Sequence, residues 1–232
     1  MSTSTRSPIS PDTVETTATP DWTVQIAEVL TEATGSSHGS VRPAAEVPFA
    51  AVHLWHAGAV ADLIGAAVAR RGGDRAPHEA LRTLHERAAA GETFGEGAWS
   101  AALEPALREV YRLAYPREKV HTTAAAAASS FALSRGWAEK DAEEYGETYA
   151  RMNTEVSERV HAEANTIANT AAYALAFATA EAEDYARAWP FALVRACVAA
   201  YAGADGTGGP DGQEARTRLR DGLVDAMGRV GA

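Results

Sequence analysis

The segment from Ala138 to Trp189 constrains the fold most, because it contains no proline and only one glycine, Gly146. Proline and glycine are the residues that most often interrupt a helix. A helix through the whole segment would have about fifty residues, against about eleven or twelve in an average helix. We therefore expect one very long helix here, or a long helix that breaks near Gly146 or within the alanine- and threonine-rich part.

The rest of the chain also favours helices. Hydrophobic residues make up 46% of the sequence, mostly as alanine, and aromatic residues only 7%. Alanine is the best helix former, whereas sheets prefer bulky β-branched and aromatic side chains. The sequence shows no internal repeat and no strand-like alternation. It predicts an all-α protein, a single-domain bundle of about seven to nine helices over residues 20–232, preceded by a disordered tail at residues 1–19.

Two predicted helices have distinctive features. The segment from Val47 to Arg71 is apolar with few charges and should be a central helix that ends at Gly72-Gly73-Asp74. Another helix contains Pro105, which we expect to bend it or divide it in two.

Charge and cysteine content restrict the partners and the compartment. The formal net charge is −10, which argues against binding to nucleic acid or to an anionic membrane surface. The longest small and apolar run, Ala171 to Ala180, is too short to span a bilayer. Cys197 is the only cysteine, so no internal disulfide can form. The N-terminal segment lacks the apolar region of a signal peptide, and we expect a cytoplasmic protein.

Four polar residues of the long helix, Glu158, His161, Asn165 and Asn169, are spaced by three, four and four residues. This spacing places them on one side of a helix. Buried carboxamides need partners for donors and acceptor. The stripe therefore indicates either a hydrogen-bonded network between helices or the wall of a ligand pocket. In the second case Glu158 is a candidate general base and His161 a candidate acid or hydrogen-bond donor.

A second candidate lies in the central helix, where His53 and His56 are three residues apart on an otherwise apolar face. Such surroundings lower the pKa of an imidazole and keep it neutral near pH 7. The alternative is a core histidine that bonds to the backbone. The candidate substrate-binding residues from this helix and from the long helix are Trp55, Asp62, Tyr149, Arg151, Asn165 and Asn169.

Metal binding is a third possibility. Glu118-Lys-Val-His121 and Glu158-Arg-Val-His161 both have the Glu-x-x-His spacing of helical di-iron carboxylate proteins. The further carboxylates of such a site are not visible in the apolar helices. Our leading prediction therefore contains no metal and no cofactor.

In its size, helical content, Ala/Arg-rich composition and lack of a standard cofactor motif, the chain resembles the small enzymes of actinobacterial natural-product pathways. Within this group it resembles the larger subunit of the two-subunit enzymes that form an aziridine ring by sulfate elimination in azinomycin-type biosynthesis. The segments VHLWH and ERVHAEANTIAN are the parts of this chain that we expect to agree with that subunit.

That resemblance implies a substrate amine activated by a carboxylate or an imidazole, a bound leaving sulfate, and a small partner subunit. Glu158, His161, His53 and His56 would serve the amine. Arg151 and the amides of Asn165 and Asn169 would hold the sulfate oxygens.

The leading prediction is a cofactor-independent biosynthetic enzyme for a polar small molecule, bound between the Val47 helix and the helix around Asn165. The first alternative is a non-catalytic helical partner subunit or ligand-binding protein. The second is a di-iron oxygenase-like bundle.

Overall fold

The computed structural model of the protein describes residues 21–31 and 43–230. Of these residues 85% are helical and none lies in a strand, which confirms the all-α prediction. The expected tail, residues 1–19, lies outside the described residues.

Ten α-helical segments make up the described chain, and a π turn at His56–Val60 joins α2 and α3 into one continuous helix. The described residues therefore form nine helices, within the predicted range of about seven to nine. The segments are α1 (Trp22–Thr31), α2 (Ala50–Trp55), α3 (Ala61–Arg71), α4 (Ala76–Ala89), α5 (Glu96–Ala114), α6 (Arg117–Ser134), α7 (Glu139–Thr179), α8 (Ala182–Arg187), α9 (Pro190–Ala202) and α10 (Pro210–Val230).

Aromatic residues are few in the sequence as a whole, but several of them are concentrated in the main core. Five of these, from five different helices, are almost completely inaccessible to solvent: Trp22, Trp55, Trp99, Tyr173 and Tyr185. Burying a large aromatic side chain removes about 150–250 Å² from water, so a few such residues can hold many helices together. The small alanines between them let the helix backbones approach closely.

The continuous helix Ala50–Arg71 is central, as predicted, and ends where Gly72 adopts a positive φ of 73°. It is the one helix of the described residues that is long and apolar enough to cross a membrane, with a mean hydropathy of 1.3. Just over half of the apolar window, 56%, is buried inside the fold, as in the core helix of a globular bundle.

The long helix α7 has 41 residues and passes through Gly146 without a break. It ends at Thr179, where Ala180 takes the left-handed conformation with φ 54°. The predicted break near Gly146 is therefore wrong. The predicted interruption by Pro105 is also wrong in its stronger form, because this residue lies inside the undivided helix α5.

Gly146 allows α7 to pack closely against α6 and does not interrupt the helix. A Cβ atom at this position would collide with the side chain of Ser129 and lie 2.7 Å from the carbonyl oxygen of Ala125, both on α6. Along α7 the residues that are buried here recur every fourth position and are small: Ala142, Gly146, Ala150 and Thr154. The two helices can therefore pack backbone against backbone.

Both α5 and α6 run antiparallel to α7, one after the other. Trp99 of α5 contacts Phe177 near the end of α7, and the ring centroids are 5.0 Å apart. At the junction of α5 and α6, Arg117 pairs with Glu158, and further along α6 packs at Gly146. The helix α6 packs almost entirely against α7. We call α6 and residues 139–158 of α7 the arm, because they form a two-helix extension of the body.

Candidate functional site

Three histidines, His53, His56 and His85, meet in the interior, and we call them the histidine cluster. His53 Nδ1 and His85 Nδ1 are 3.0 Å apart, and the rings of His56 and His85 are stacked with centroids 4.8 Å apart. The Nε2 atom of His56 is 2.9 Å from the hydroxyl of Tyr185. Phe177 of α7 packs edge-on against His85, which closes the cluster on one side. The predicted pair thus acquires a third histidine from α4 that the sequence analysis missed.

Burial keeps the cluster uncharged at neutral pH. It lowers the pKa of His53 to about 4. Burial and the neighbouring His53 together lower the pKa of His56 to about 3. The pKa of His85 is also far below its ordinary value, because of burial and because of the two other imidazoles. The predicted direction of the pKa shift for His53 and His56 agrees with these values.

On one side of the cluster, buried imidazole nitrogens have no hydrogen-bond partner among the described residues. The Nε2 atoms of His85 and of the nearby His78 are buried without a hydrogen-bond partner. Both residues line a cavity of about 40 Å³, together with His56, Phe177 and Cys197. This volume accommodates a few water molecules at most, since one water needs about 10–15 Å³ of such space. It is too small for a metabolite.

The π turn at His56–Val60 lies beside this cavity. A π turn inserts one extra residue per turn and widens the helix locally. Here the widened turn packs against α10, where a Cβ atom at Gly222 would overlap Ala59. The glycine on α10 therefore makes room for the wide turn that carries His56.

The other two candidates from the central helix have structural partners. Trp55 is buried and donates its indole N–H to the carbonyl oxygen of Leu219, at 2.9 Å. Asp62 lies at the surface and forms an ion pair with Arg82 at 2.9 Å. Neither faces a cavity of metabolite size.

The amides of the polar stripe on α7 bond within their own helix. Asn165 Nδ2 donates to the carbonyl oxygen of His161 at 2.8 Å, and Asn169 Nδ2 donates to that of Asn165 at 2.6 Å. These two amides therefore form neither the expected network between helices nor a pocket wall, whereas Glu158 of the same stripe does pair with arginines of α5 and α6. Short polar side chains compete for backbone groups in this way because they can reach the carbonyl one turn earlier.

The two predicted groups of site residues do not share a pocket. The histidine cluster contacts α7 at Phe177, whereas His161 packs near Tyr115, at a ring distance of 5.3 Å. Sixteen residues of α7 separate His161 from Phe177, which is about 24 Å along a helix. The pocket expected between the Val47 helix and the Asn165 helix is therefore not formed by the described residues.

A large open cleft lies instead where the ends of several helices meet, and we call it the cationic cleft. Its volume is about 830 Å³, within the range of small-molecule sites. It is lined by Arg71, Tyr115, Pro116, Arg117, Glu118, His121, Thr122, Arg151, Ala202, Gly203, Ala204 and Gly206. Three arginines against one glutamate make it locally positive in a protein of net charge −10.

Two of the three arginines are held in place. Arg71 donates to the carbonyl oxygens of Leu113 and of Ala200, the latter at 3.1 Å. Burial and the neighbouring Arg112 lower the pKa of Arg71, but a guanidinium stays protonated at any physiological pH. Arg117 forms an ion pair with Glu158.

Arg151, a predicted substrate-binding residue, does line the cleft. It is exposed, and within the described part of the chain it has no hydrogen-bond or ion-pair partner. Tyr149, predicted beside it, is instead at the surface of the arm, where its ring stacks on that of Tyr145.

Glu158, the predicted general base, does not line the cleft but contacts Arg117, which does. Its side chain is only 14% exposed and lies between Arg117 and Arg112, the second at 3.9 Å. A carboxylate shared by two guanidiniums holds them in position and has its oxygens occupied by them.

His121 is the imidazole that faces the cleft. Its Nε2 atom is 3.3 Å from Oε1 of Glu147 on α7, so a carboxylate can orient the ring. From its spacing to Glu118, His121 was expected only as a metal ligand, and Arg71, Tyr115 and Arg117 were not predicted. The one available signal was the charge of Arg71 and Arg117 at helix ends, next to Gly72 and Pro116.

The di-iron alternative requires both Glu-x-x-His pairs to converge. Glu118 and His121 line the cleft, but Glu158 is engaged by arginines. Among residues 21–31 and 43–230, no three His, Cys, Asp or Glu side chains are placed to hold one metal ion. The di-iron ligand set is therefore not assembled there.

Comparisons with other proteins do not assign the chain to a family. No family model, no curated protein and no solved structure matches the chain. The resemblance to aziridine-forming enzymes therefore stays a prediction from the sequence.

Proposed function

We propose that the protein binds a small anionic molecule in the cationic cleft and acts on it as a cofactor-independent enzyme. One observation carries the proposal: Arg71, Arg117 and Arg151 line a cleft of about 830 Å³ in an otherwise acidic protein. Substrates of this class are sulfate and phosphate esters and carboxylates.

The charge distribution supports an anionic ligand. Arginine suits such groups because its planar fork donates two parallel hydrogen bonds to an oxyanion. Arg71 and Arg117 already have partners that fix their positions, whereas Arg151 has none within the described residues. Arg151 is therefore the side chain with most donors to offer to a ligand.

His121 gives the cleft a group that can take up a proton. Glu147 orients the ring, and a histidine oriented by a carboxylate is a common general base. For a substrate amine near a sulfate ester, His121 would accept the amine proton while the nitrogen attacks the carbon that bears the ester oxygen. The new C–N bond replaces the C–O bond, and sulfate leaves with the electron pair toward the arginines. This is the ring closure that the sequence resemblance implies.

A non-catalytic ligand-binding protein is the second candidate. It is favoured by the position of Glu158, because this mostly buried carboxylate serves two arginines and is not free to act as a base in the cleft. The two candidates differ in the outcome at His121. A His121→Gln variant of an enzyme binds the anion but loses turnover of a β-amino alkyl sulfate, whereas a binding protein shows no turnover in either form.

Calorimetric titration with sulfate, phosphate and small organic sulfate and phosphate esters tests the binding step. We expect Arg151→Gln to weaken binding at least about tenfold, or roughly 1.4 kcal/mol. The matched control is Arg159→Gln on the same helix, which is exposed, has no ion-pair partner in the described chain and does not line the cleft. Equal affinity of both variants, or no binding of any anion by the wild type, would refute the proposal.

A further inference from the structure

We propose that α7 carries the interface of a homodimer, in which a second copy of this chain packs antiparallel against it. The proposal is independent of the cationic cleft. It rests on an apolar stripe, defined as Tyr145, Tyr149, Met152, Val156, Val160 and Ile167, which is exposed to solvent along the outer face of α7.

The stripe follows the helix closely. At about 100° per residue its six members fall within an arc of about 80°, and they extend over about 33 Å of helix. Their exposed fractions run from 36% for Tyr145 to 71% for Ile167. Trp137 lengthens the stripe at the tip of the arm, where its ring packs on Tyr145 with centroids 5.4 Å apart.

The size of this surface exceeds what a monomer usually exposes. An aromatic side chain offers about 150–250 Å², so seven half-exposed members present on the order of 600 Å², against about 800 Å² per partner in an ordinary stable interface. Monomeric proteins rarely leave more than a few hundred Å² of contiguous apolar surface open. Flanking residues supply the remaining area.

The arm itself lacks cover on this side. A helix usually buries its apolar face against a neighbour, but α6 occupies only the small-residue face of α7 and has just two buried residues of its own, Ala128 and Ala132. A second, antiparallel copy centred near Val156 would lay its arm along residues 157–173 of this α7, where α5 packs. The helices α6 and α7 of one copy and α5 and α7 of the other would then form a four-helix bundle in which each apolar face is covered.

The sequence of the stripe identifies the occupant as a second copy. Five of its six positions are symmetric about Val156, since Met152 and Val160 lie four residues on either side and Tyr145 and Ile167 lie eleven. An antiparallel copy related by a twofold axis at Val156 therefore places an apolar side chain opposite each of these residues. Closed twofold dimers need a self-complementary surface of this kind.

The sixth stripe residue, Tyr149, has a polar partner under the same symmetry. Tyr149 and Glu163 lie seven residues on either side of Val156, so the carboxylate of one copy faces the phenol hydroxyl of the other. Glu155 and Arg159 flank the stripe one helical turn apart, and neither has an ion-pair partner among the described residues. In the antiparallel arrangement Glu155 of each copy lies beside Arg159 of the other, which gives two salt bridges.

Sedimentation experiments on the full chain from about 1 to 100 µM, a range that covers ordinary dimer affinities, test the proposal. We expect the wild type to sediment at twice the monomer mass of 24.4 kDa. Val156→Glu places two carboxylates at the twofold axis and should give a monomer. The control Val224→Glu changes a valine that is 66% exposed on α10 and should leave the dimer intact.

A charge swap tests the register. Glu155→Arg should weaken the dimer about tenfold by placing two arginines together, and the double variant Glu155→Arg/Arg159→Glu should restore it. Circular dichroism verifies that each variant keeps its helical signal. A wild type that stays monomeric at all concentrations, or a folded Val156→Glu variant that still dimerises, overturns the proposal and leaves the stripe to a different partner.

Discussion

The Nδ1 atoms of His53 and His85 lie 3.0 Å apart in the interior, so one ring must donate to the other and the two cannot both carry a proton there. This geometry makes the protein sensitive to acid. Each cluster histidine is held neutral in the folded state, whereas in the unfolded chain it is protonated below its ordinary pKa of about 6.5.

The sign follows from proton binding. Between pH 6.5 and about 4 the unfolded chain binds protons that the folded protein excludes from His53, and for His56 this interval extends to about 3. The stability that these neutral imidazoles contribute is complete above pH 6.5 and is lost as the pH falls. We expect a loss of a few kcal/mol from pH 7 to pH 4.5, at about 1.4 kcal/mol per pKa unit.

Chemical denaturation at several pH values measures this loss. A His53→Phe variant keeps the ring packed against Trp99 but removes one titrating group, so its stability should depend less steeply on pH. Val224→Ala, an exposed change that removes no titrating group, serves as the control with an unaltered slope. If wild type and His53→Phe have parallel pH profiles, the cluster is not the source of acid sensitivity.

Close helix packing at Gly146 gives a second expectation. An alanine there needs space that the Ala125 carbonyl occupies, so Gly146→Ala should destabilise the protein by about 1–3 kcal/mol through overpacking. At Gly228, on α10, nothing lies within 4 Å of an added Cβ. There the same change should stabilise by about 0.5–1 kcal/mol, because alanine is the better helix former. Urea unfolding of both variants makes the comparison, and equal effects would contradict the packing argument.

Glu158→Gln separates a positioning role from a catalytic one. Since the carboxylate is mostly buried between two arginines, its loss should cost about 1–3 kcal/mol of stability, the usual penalty for an uncompensated buried polar partner. It should also make the cleft more positive and strengthen sulfate binding. Thermal unfolding and calorimetric titration measure the two effects. Unchanged stability with abolished turnover would instead assign catalysis to this residue.

Cys197 should be inert in the folded protein. It is buried on α9, and burial raises the pKa of its thiol to about 12. A thiol reacts through its thiolate, which is then scarce and out of reach. We expect no labelling by an aromatic disulfide reagent under native conditions and complete labelling in denaturant. Rapid native labelling would mean that α9 opens readily.

The sequence was informative where local chemistry decides the structure. Alanine content and the missing prolines predicted the long helix, and Gly72 correctly marked the end of α3. Gly146 misled because the same residue that breaks helices also permits close packing, and only the position of α6 distinguishes these roles. Whether Pro105 interrupts its helix likewise depends on how the surrounding chain packs.

The site was harder to predict because its residues meet only in three dimensions. His53 and His56 are close in sequence, but His85 joins them from another helix. The cleft collects residues from the ends of α3, α6 and α9 and from within α7, between Arg71 and Gly206, and these residues share no motif. The stripe around Asn165 was read as facing a partner because the periodicity gives the face of a helix but not the direction of an amide.

Because α7 is one continuous helix, it fixes how the side chains at its two ends are oriented relative to each other. Phe177 at one end seals the buried imidazoles, and Tyr149 near the other lies on the outer surface of the arm. Because each residue turns a helix by about 100°, inserting or deleting one amino acid between them would rotate one end out of alignment with the other. Related sequences should therefore differ in α7 by substitutions, and insertions or deletions should be confined to the loops.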